Sequence, residues 1–208
     1  MDLKLIYGNM RALCEAPQMM LHYANIPYEY KMVWDHYGSS WAEVKKDIIF
    51  NRLPILKINE DKYLWQSNTI IRYLSNLTKT KPSDEFQLAY CDAVFESTHE
   101  MFSPLNPTIN MTFGEKYNSN KKKLLEDILP NSLNNFEKLL QNSSGNFFIG
   151  NDPFYCDFNA YHHFSMCLIL DKNIFSNFPN LKKFINNFEK LNNIKKYLDS
   201  RPELIELG

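Results

Sequence analysis

The chain has 208 residues, 44% of them hydrophobic, and a formal net charge of −1. That length and apolar content bury a substantial core, in one large domain or two small ones. The near-neutral balance argues against a nucleic-acid partner, because the longest basic run, Lys121-Lys122-Lys123, reads as a solvated helix face. No apolar stretch is long enough to span a bilayer. The opening Met1-Asp2-Leu3 runs straight into a strand pattern, so no cleavable secretion signal is expected, and the expected location is cytoplasmic. Cys14, Cys91, Cys156 and Cys167 show neither a CxxC pair nor metal-ligand spacing, and each falls in an apolar helical pattern, as reduced, buried thiols do.

In chain order, residues 3–7 read as a short strand, residues 14–24 carry apolar side chains at helical spacing, and residues 28–33 form a second strand. A strand–helix–strand unit makes the two strands parallel. A short helix follows over residues 41–47. Leu53-Pro54-Ile55-Leu56-Lys57-Ile58 is a strand that opens on a proline, a residue that cannot donate to a ladder and bends the chain if its peptide bond is cis. Such a bend leaves the amide and carbonyl of Leu53 facing outward. Asn59-Glu60-Asp61 signals a turn, Tyr63-Leu64-Trp65 a returning strand, and Thr69, Ile70, Ile71, Tyr73 and Leu74 a helix. Ser67 then stands at or beside that helix's N-cap, where free amides attract carboxylates. The order β-α-β-α-β-β-α predicts a thioredoxin-like α/β domain over residues 1–77, a polar linker over 78–84 and an all-helical domain over 85–208.

In the second half, apolar residues at 88, 91, 94, 95, 98 and 102 predict a long helix from Glu85, broken or kinked by Pro104 and Pro107. Residues 121–140 predict another, bent at Pro130, with shorter helices over 158–170, 181–188 and 194–198. Adjacent residues on a helix face different ways, so His162-His163 is read as structural and no metal is expected. His99 with Asp92, Glu96 and Glu100 forms a polar cluster on one helix. Cys14 sits inside the first helix, poorly placed as a redox nucleophile.

Several runs in order carry a family resemblance: Lys4-Leu5-Ile6-Tyr7 with Asn9-Met10-Arg11 and Glu15; Trp41-x-x-x-Lys45; the Phe50–Leu56 proline strand; and Gln66 through Leu74. Phe148-Ile149-Gly150-Asn151 with Asp157-Phe158, and Phe178-Pro179-Asn180-Leu181, extend it over nearly the whole chain. The chain resembles the glutathione S-transferases, the sigma class first, with features similar to the mu class. The resemblance implies that Tyr7 activates the thiol of glutathione, the co-substrate, for attack on hydrophobic electrophiles, as in detoxification. Leu53, next to Pro54, would pair with the cysteinyl backbone, Gln66 and Ser67 would take the γ-glutamyl carboxylate, and Trp41 and Lys45, with Arg52, the glycyl carboxylate. Glu100 would reach the γ-glutamyl amine from the partner in a homodimer. Gly8, Met10, Leu13, Phe102, Asn159 and His163 would line the electrophile site.

Departures from the family pattern are Gly8 for an aromatic residue, Ala12 for glycine, Leu13 for arginine, Arg52 for a shorter polar residue or lysine, and Phe154 for a Ser or Thr cap. Gly8 predicts a roomier pocket. Peroxidase and isomerase activities use the same thiolate and stay open beside transfer. The alternative is a catalytically weak, transferase-like binding or structural protein, similar to the lens crystallins that resemble the sigma class.

Overall fold

The computed structural model describes residues 1–202, so the last residues of the expected helical half, 203–208, lie outside the described ones. Strand β1 (Leu3–Tyr7), a 3-10 turn (Ala12–Cys14), helix α1 (Glu15–Tyr23) and strand β2 (Glu29–Met32) make the first unit. β1 and β2 pair in parallel, with Tyr7 opposite Met32. β3 (Ile55–Ile58) runs antiparallel to β1, and β4 (Lys62–Trp65) antiparallel to β3, giving the order β2-β1-β3-β4. Helix α4 (Ser67–Leu77) completes the thioredoxin-like half.

Alternation along the strands separates two faces. Leu3, Leu5 and Tyr7 of β1, with Leu56 and Ile58 of β3, belong to the main core, whereas Ile6 and Ile55 meet Val33 and Ile48 on the other side. Val33, expected at the end of the second strand, instead starts a one-turn helix, α2 (Val33–Tyr37), closed by Gly38 at φ 69. Val33 buries its side chain in either conformation, so its apolar character did not distinguish them. The 41–47 segment is α3 (Trp41–Val44) followed by a 3-10 turn.

The second half begins with α5 (Glu85–Met111), whose N-cap Asp84 accepts from the Gln87 amide at 2.8 Å. This helix runs unbroken through Pro104 and Pro107, so of the two outcomes expected there, a break or a kink, the break does not occur. Each interior proline costs roughly 3 kcal/mol. Met101, Phe102 and Leu105 are buried on the same stripe, each contributing about 1.5–3 kcal/mol, enough to offset the two prolines. Helix α6 (Gly114–Lys123) starts about two turns before the expected Lys121. It passes through a π turn (Leu124–Ile128) into α7 (Leu129–Gln141). The π turn answers the bend expected at Pro130: the Leu129 amide bonds the Leu124 carbonyl five residues back, and the widened turn accommodates a ring without an N–H.

Thirteen of the sixteen residues of α8 (Tyr155–Leu170) are buried, making it the central helix around which the others pack. Helices α9 (Pro179–Glu189) and α10 (Asn192–Ser200) follow. The 78–84 segment is partly interior: Thr78 and Thr80 are buried, and the Thr80 carbonyl accepts from the Tyr155 amide at 2.9 Å.

Candidate functional site

Tyr7 ends β1 on the face turned toward the helical half and is 6% exposed. β1 pairs Ile6 with Ile55, so one further step sets Tyr7 beside Pro54; β3 pairs Ile55 with Trp65, so one further step sets Gln66 on Pro54's other side. Tyr7, Pro54 and Gln66 thus form one row across the end of the sheet. The Leu53–Pro54 peptide is cis. Among the described residues, neither the amide nor the carbonyl of Leu53 has a hydrogen-bond partner.

Gln66 is the N-cap of α4 and holds φ 69 and ψ 120, a left-handed conformation that only Gly adopts without strain. The first intrahelical bond runs from the Ile70 amide to the Gln66 carbonyl at 3.0 Å, leaving the amides of Ser67, Asn68 and Thr69 at the open helix start. Ser67 is buried and Gln66 exposed beside it. Asn68 donates to Glu96 at 3.3 Å, and Glu96 also pairs with Arg72, as does Asp92 at 2.8 Å. That pairing absorbs two of the carboxylates grouped with His99. Among the described residues no set of three or more His, Cys, Asp or Glu is arranged to hold a metal ion.

Trp41 opens α3, whose start is fixed by a capping box in which Glu43 accepts from the Ser40 amide at 3.1 Å. Its ring packs with Val44 and Leu53 against the small core beneath the sheet. Lys45 and Arg52 are exposed, and Glu100 is exposed on α5.

The phenol of Tyr7 accepts a long 3.4 Å hydrogen bond from the Leu13 amide. Burial, then the neighbouring Cys14, push its pKa well above the usual tyrosine value, while the Leu13 amide pulls the other way. Tyr7 therefore keeps its proton and remains a donor. Burial likewise raises the Cys14 thiol. The residues that follow Tyr7 in the chain, 8–11, line a cleft of about 360 Å³ with α1, β2 and the end of α10. Gly8 and Met10 line it. Leu13 is partly exposed, whereas Phe102, Asn159 and His163 are 1%, 3% and 1% exposed. Those three tie α8 to α5: Asn159 donates to the Thr98 hydroxyl at 3.0 Å, His163 Nδ1 meets the Thr98 carbonyl at 2.9 Å, and Phe102 stacks on His163.

The family model for the glutathione S-transferase N-terminal domain matches residues 1–76, and that for the C-terminal domain residues 99–201. A glutathione S-transferase of Plasmodium yoelii yoelii is 31% identical over 173 residues, 81% of this chain and 79% of that protein. The chain belongs to the glutathione S-transferase family. It is 29% identical to the glutathione S-transferase P of Caenorhabditis elegans over 204 residues, 97% of this chain and 94% of that one. The structure of rat hPGDS complexed with a quinoline aligns with a TM-score of 0.86 at 25% identity, covering 98% of each chain.

Seen as a glutathione S-transferase family member, the chain keeps its departures local. Ala12 holds φ 25, a backbone that favours the glycine it replaces. Phe154 has no side-chain acceptor, so only half of a capping box remains at α8. Asp157 supplies it, accepting from the amides of Phe154 at 2.8 Å and Phe148 at 3.1 Å. Burial pushes the Asp157 carboxyl up to about 7 against those two donors. Sequence reasoning missed the polar network across the ends of the chain: Tyr197 donates to buried Glu15 at 3.0 Å, Arg201 pairs with the same carboxylate, and Arg11 donates to the Pro202 carbonyl at 2.5 Å. The i, i+4 spacing of Arg11 and Glu15 points to a pair that does not form; their actual partners, nearly the whole chain away, left no signal.

Proposed function

We propose that this family member is a glutathione transferase in which Tyr7 donates its phenolic hydrogen bond to the sulfur of glutathione and holds it as a thiolate. A free thiol of pKa ~8.5 is only a few per cent ionised at neutrality. Lowering that value by about two units requires roughly 2.7 kcal/mol of preference for the anion, and one hydrogen bond to a charged acceptor supplies on the order of 1.5–3 kcal/mol. The observation that carries the reading is a tyrosine held protonated by burial, in one row with cis-Pro54 and Gln66.

The unpartnered Leu53 backbone suits the cysteinyl residue, and the open start of α4 with Gln66 and Ser67 suits the γ-glutamyl carboxylate. Trp41, Lys45 and Arg52 stand for the glycyl carboxylate. Exposed Glu100 is the residue lent by a partner in a two-fold homodimer. We assign the chain to the sigma class, acting in the cytoplasm on hydrophobic electrophiles.

The test is a titration of bound glutathione by thiolate absorbance. The thiol should titrate about two units below its free value, and a value equal to that of free glutathione would remove the catalytic claim. A Tyr7→Phe variant should bind glutathione within about twofold of the parent. Its turnover of 1-chloro-2,4-dinitrobenzene should fall by on the order of 10- to 100-fold below pH 7, following the lost thiolate fraction. Unchanged turnover would strip Tyr7 of its role.

A further inference from the structure

The cleft beside Gly8 has a chemistry of its own. Gly8 is not at positive φ, and a Cβ built there would meet only the Met10 methyl, at 3.9 Å. Neither backbone conformation nor crowding requires glycine, so its effect is to leave the entrance open. The tyrosines on the cleft walls spend their hydroxyls within the protein: Tyr28 donates to Gln18 at 3.1 Å, Tyr30 to the Gly8 carbonyl at 2.8 Å and Tyr197 to Glu15 at 3.0 Å. With those groups committed, the walls offer ring faces, the side chains of Met10 and Met32, the polar side chains of Asn9, Gln18 and His22, and two guanidiniums, of which Arg201 is paired with Glu15 and Arg11 is not.

The charges do not cancel. Glu15, 1% exposed, is neutralised by Arg201 and by the Tyr197 hydroxyl. Arg11 donates to the Pro202 carbonyl and has no carboxylate within ion-pair distance among the described residues. Burial first and then the nearby Arg201 disfavour its charge, Glu15 offsets this in part, and an incoming anion would add to that offset. The space, of about 360 Å³, lies in the range that holds small ligands.

We propose that this cleft receives the anionic end of the electrophile, with Arg11 as its counter-charge, so that aryl electrophiles bearing a carboxylate are preferred over uncharged ones. This rests on the thiolate reading above. In the step concerned, the sulfur anion forms a C–S bond to the ring carbon bearing chlorine, the nitro groups take up the added electron pair, and the C–Cl bond breaks with its pair to release chloride. The thiol proton has already gone to solvent. The carboxylate takes no part in bonding; it aligns the ring.

The test compares 4-chloro-3,5-dinitrobenzoate with 4-chloro-3,5-dinitrobenzamide, each kcat/KM divided by the uncatalysed rate with free glutathione. The parent protein should favour the acid by about two- to fivefold, the scale of one ion pair. Arg11→Gln should bring the acid-to-amide ratio to about one and Arg11→Lys should restore most of it, while Gly8→Phe, which fills the entrance, should lower it. Circular dichroism of each variant confirms that it folds. An acid-to-amide ratio near one in the parent, or one that survives Arg11→Gln or Gly8→Phe, overturns this inference and leaves the thiolate reading standing. Turnover of neither compound removes the thiolate reading, and the preference with it.

Discussion

His162 Nε2 is the one buried side-chain nitrogen or oxygen without a hydrogen-bond partner among the described residues. Burial first, then Arg201, lower the pKa of this imidazole from 6.5 to about 3, against a smaller opposing effect of the Ala12 backbone. Between those two values the unfolded chain binds the proton and the folded one does not, so His162 contributes stability that is lost as pH falls below 6.5. By pH 5 the loss is roughly 2 kcal/mol, at about 1.36 kcal/mol per pH unit. His162→Phe keeps a ring in the same space and removes the titration. Urea denaturation at pH 7, 6 and 5 should show the difference between variant and parent growing in the variant's favour by about that amount; a difference independent of pH would mean that His162 does not titrate on unfolding. The residues of the site divide by how local their evidence is. Tyr7, Pro54, Gln66 and Ser67 were legible because strand ends and a helix start fix them within a few positions. The placement of Asn159 and His163 in the interior was not, because a polar residue on a helix reads the same whether it faces a cleft or bonds the next helix, and only Thr98 on α5 decides that.

At the scale of elements, the start of α8 shows how one carboxylate serves a helix start and the loop before it. The capping position is Phe154, which offers the helix no acceptor, and Asp157 takes the amides of Phe154 and Phe148. Leaving a buried donor unpaired costs about 1–3 kcal/mol. Asp157→Ala should therefore destabilise the protein by roughly 2–4 kcal/mol in a denaturant titration, and a loss below about 1 kcal/mol would show that water takes over both amides. The titration of Asp157 has the opposite sign to that of His162. Its folded value of about 7 lies above its ordinary 3.8, so the folded state holds the extra proton and stability falls as pH rises through that window. Helices and strands with one buried face were readable from their periodicity, which is why β1, β3 and α4 match the expected spans closely. At the prolines of α5 the expected alternatives are a break or a kink, and the break does not occur. A local rule breaks a helix at proline, but the long stripe buried against α8 outweighs it, and that burial exists only once both helices are in place.

At the scale of the whole molecule, the two halves share one core. A single cluster runs from Leu3 and Leu56 of the sheet through Met19, Met20, Ile70 and Leu74 to Phe95, Phe158 and Phe188 of the helical half. Polar links cross the same boundary: Tyr197 and Arg201 reach back to Glu15, and the Asn193 side-chain Nδ2 donates to the Tyr23 carbonyl at 3.1 Å. With the apolar surface of each half covered by the other, neither half retains most of its burial alone, and unfolding should be a single cooperative event. The chain supplies its own reporters. All three tryptophans, Trp34, Trp41 and Trp65, lie in the thioredoxin-like half, whereas most of the helix lies in the other. Tryptophan fluorescence and far-ultraviolet circular dichroism should therefore give the same urea midpoint. Glu15→Gln removes the carboxylate at the centre of the cross-chain network and leaves the Arg201 charge without its partner, a loss of roughly 3–5 kcal/mol for a buried pair. Because the lost contacts join the first helix to the last described one, both signals should move to lower urea together. A shift in one signal alone would show that the halves unfold separately, and that Tyr7 is held by its own half without the helices behind it.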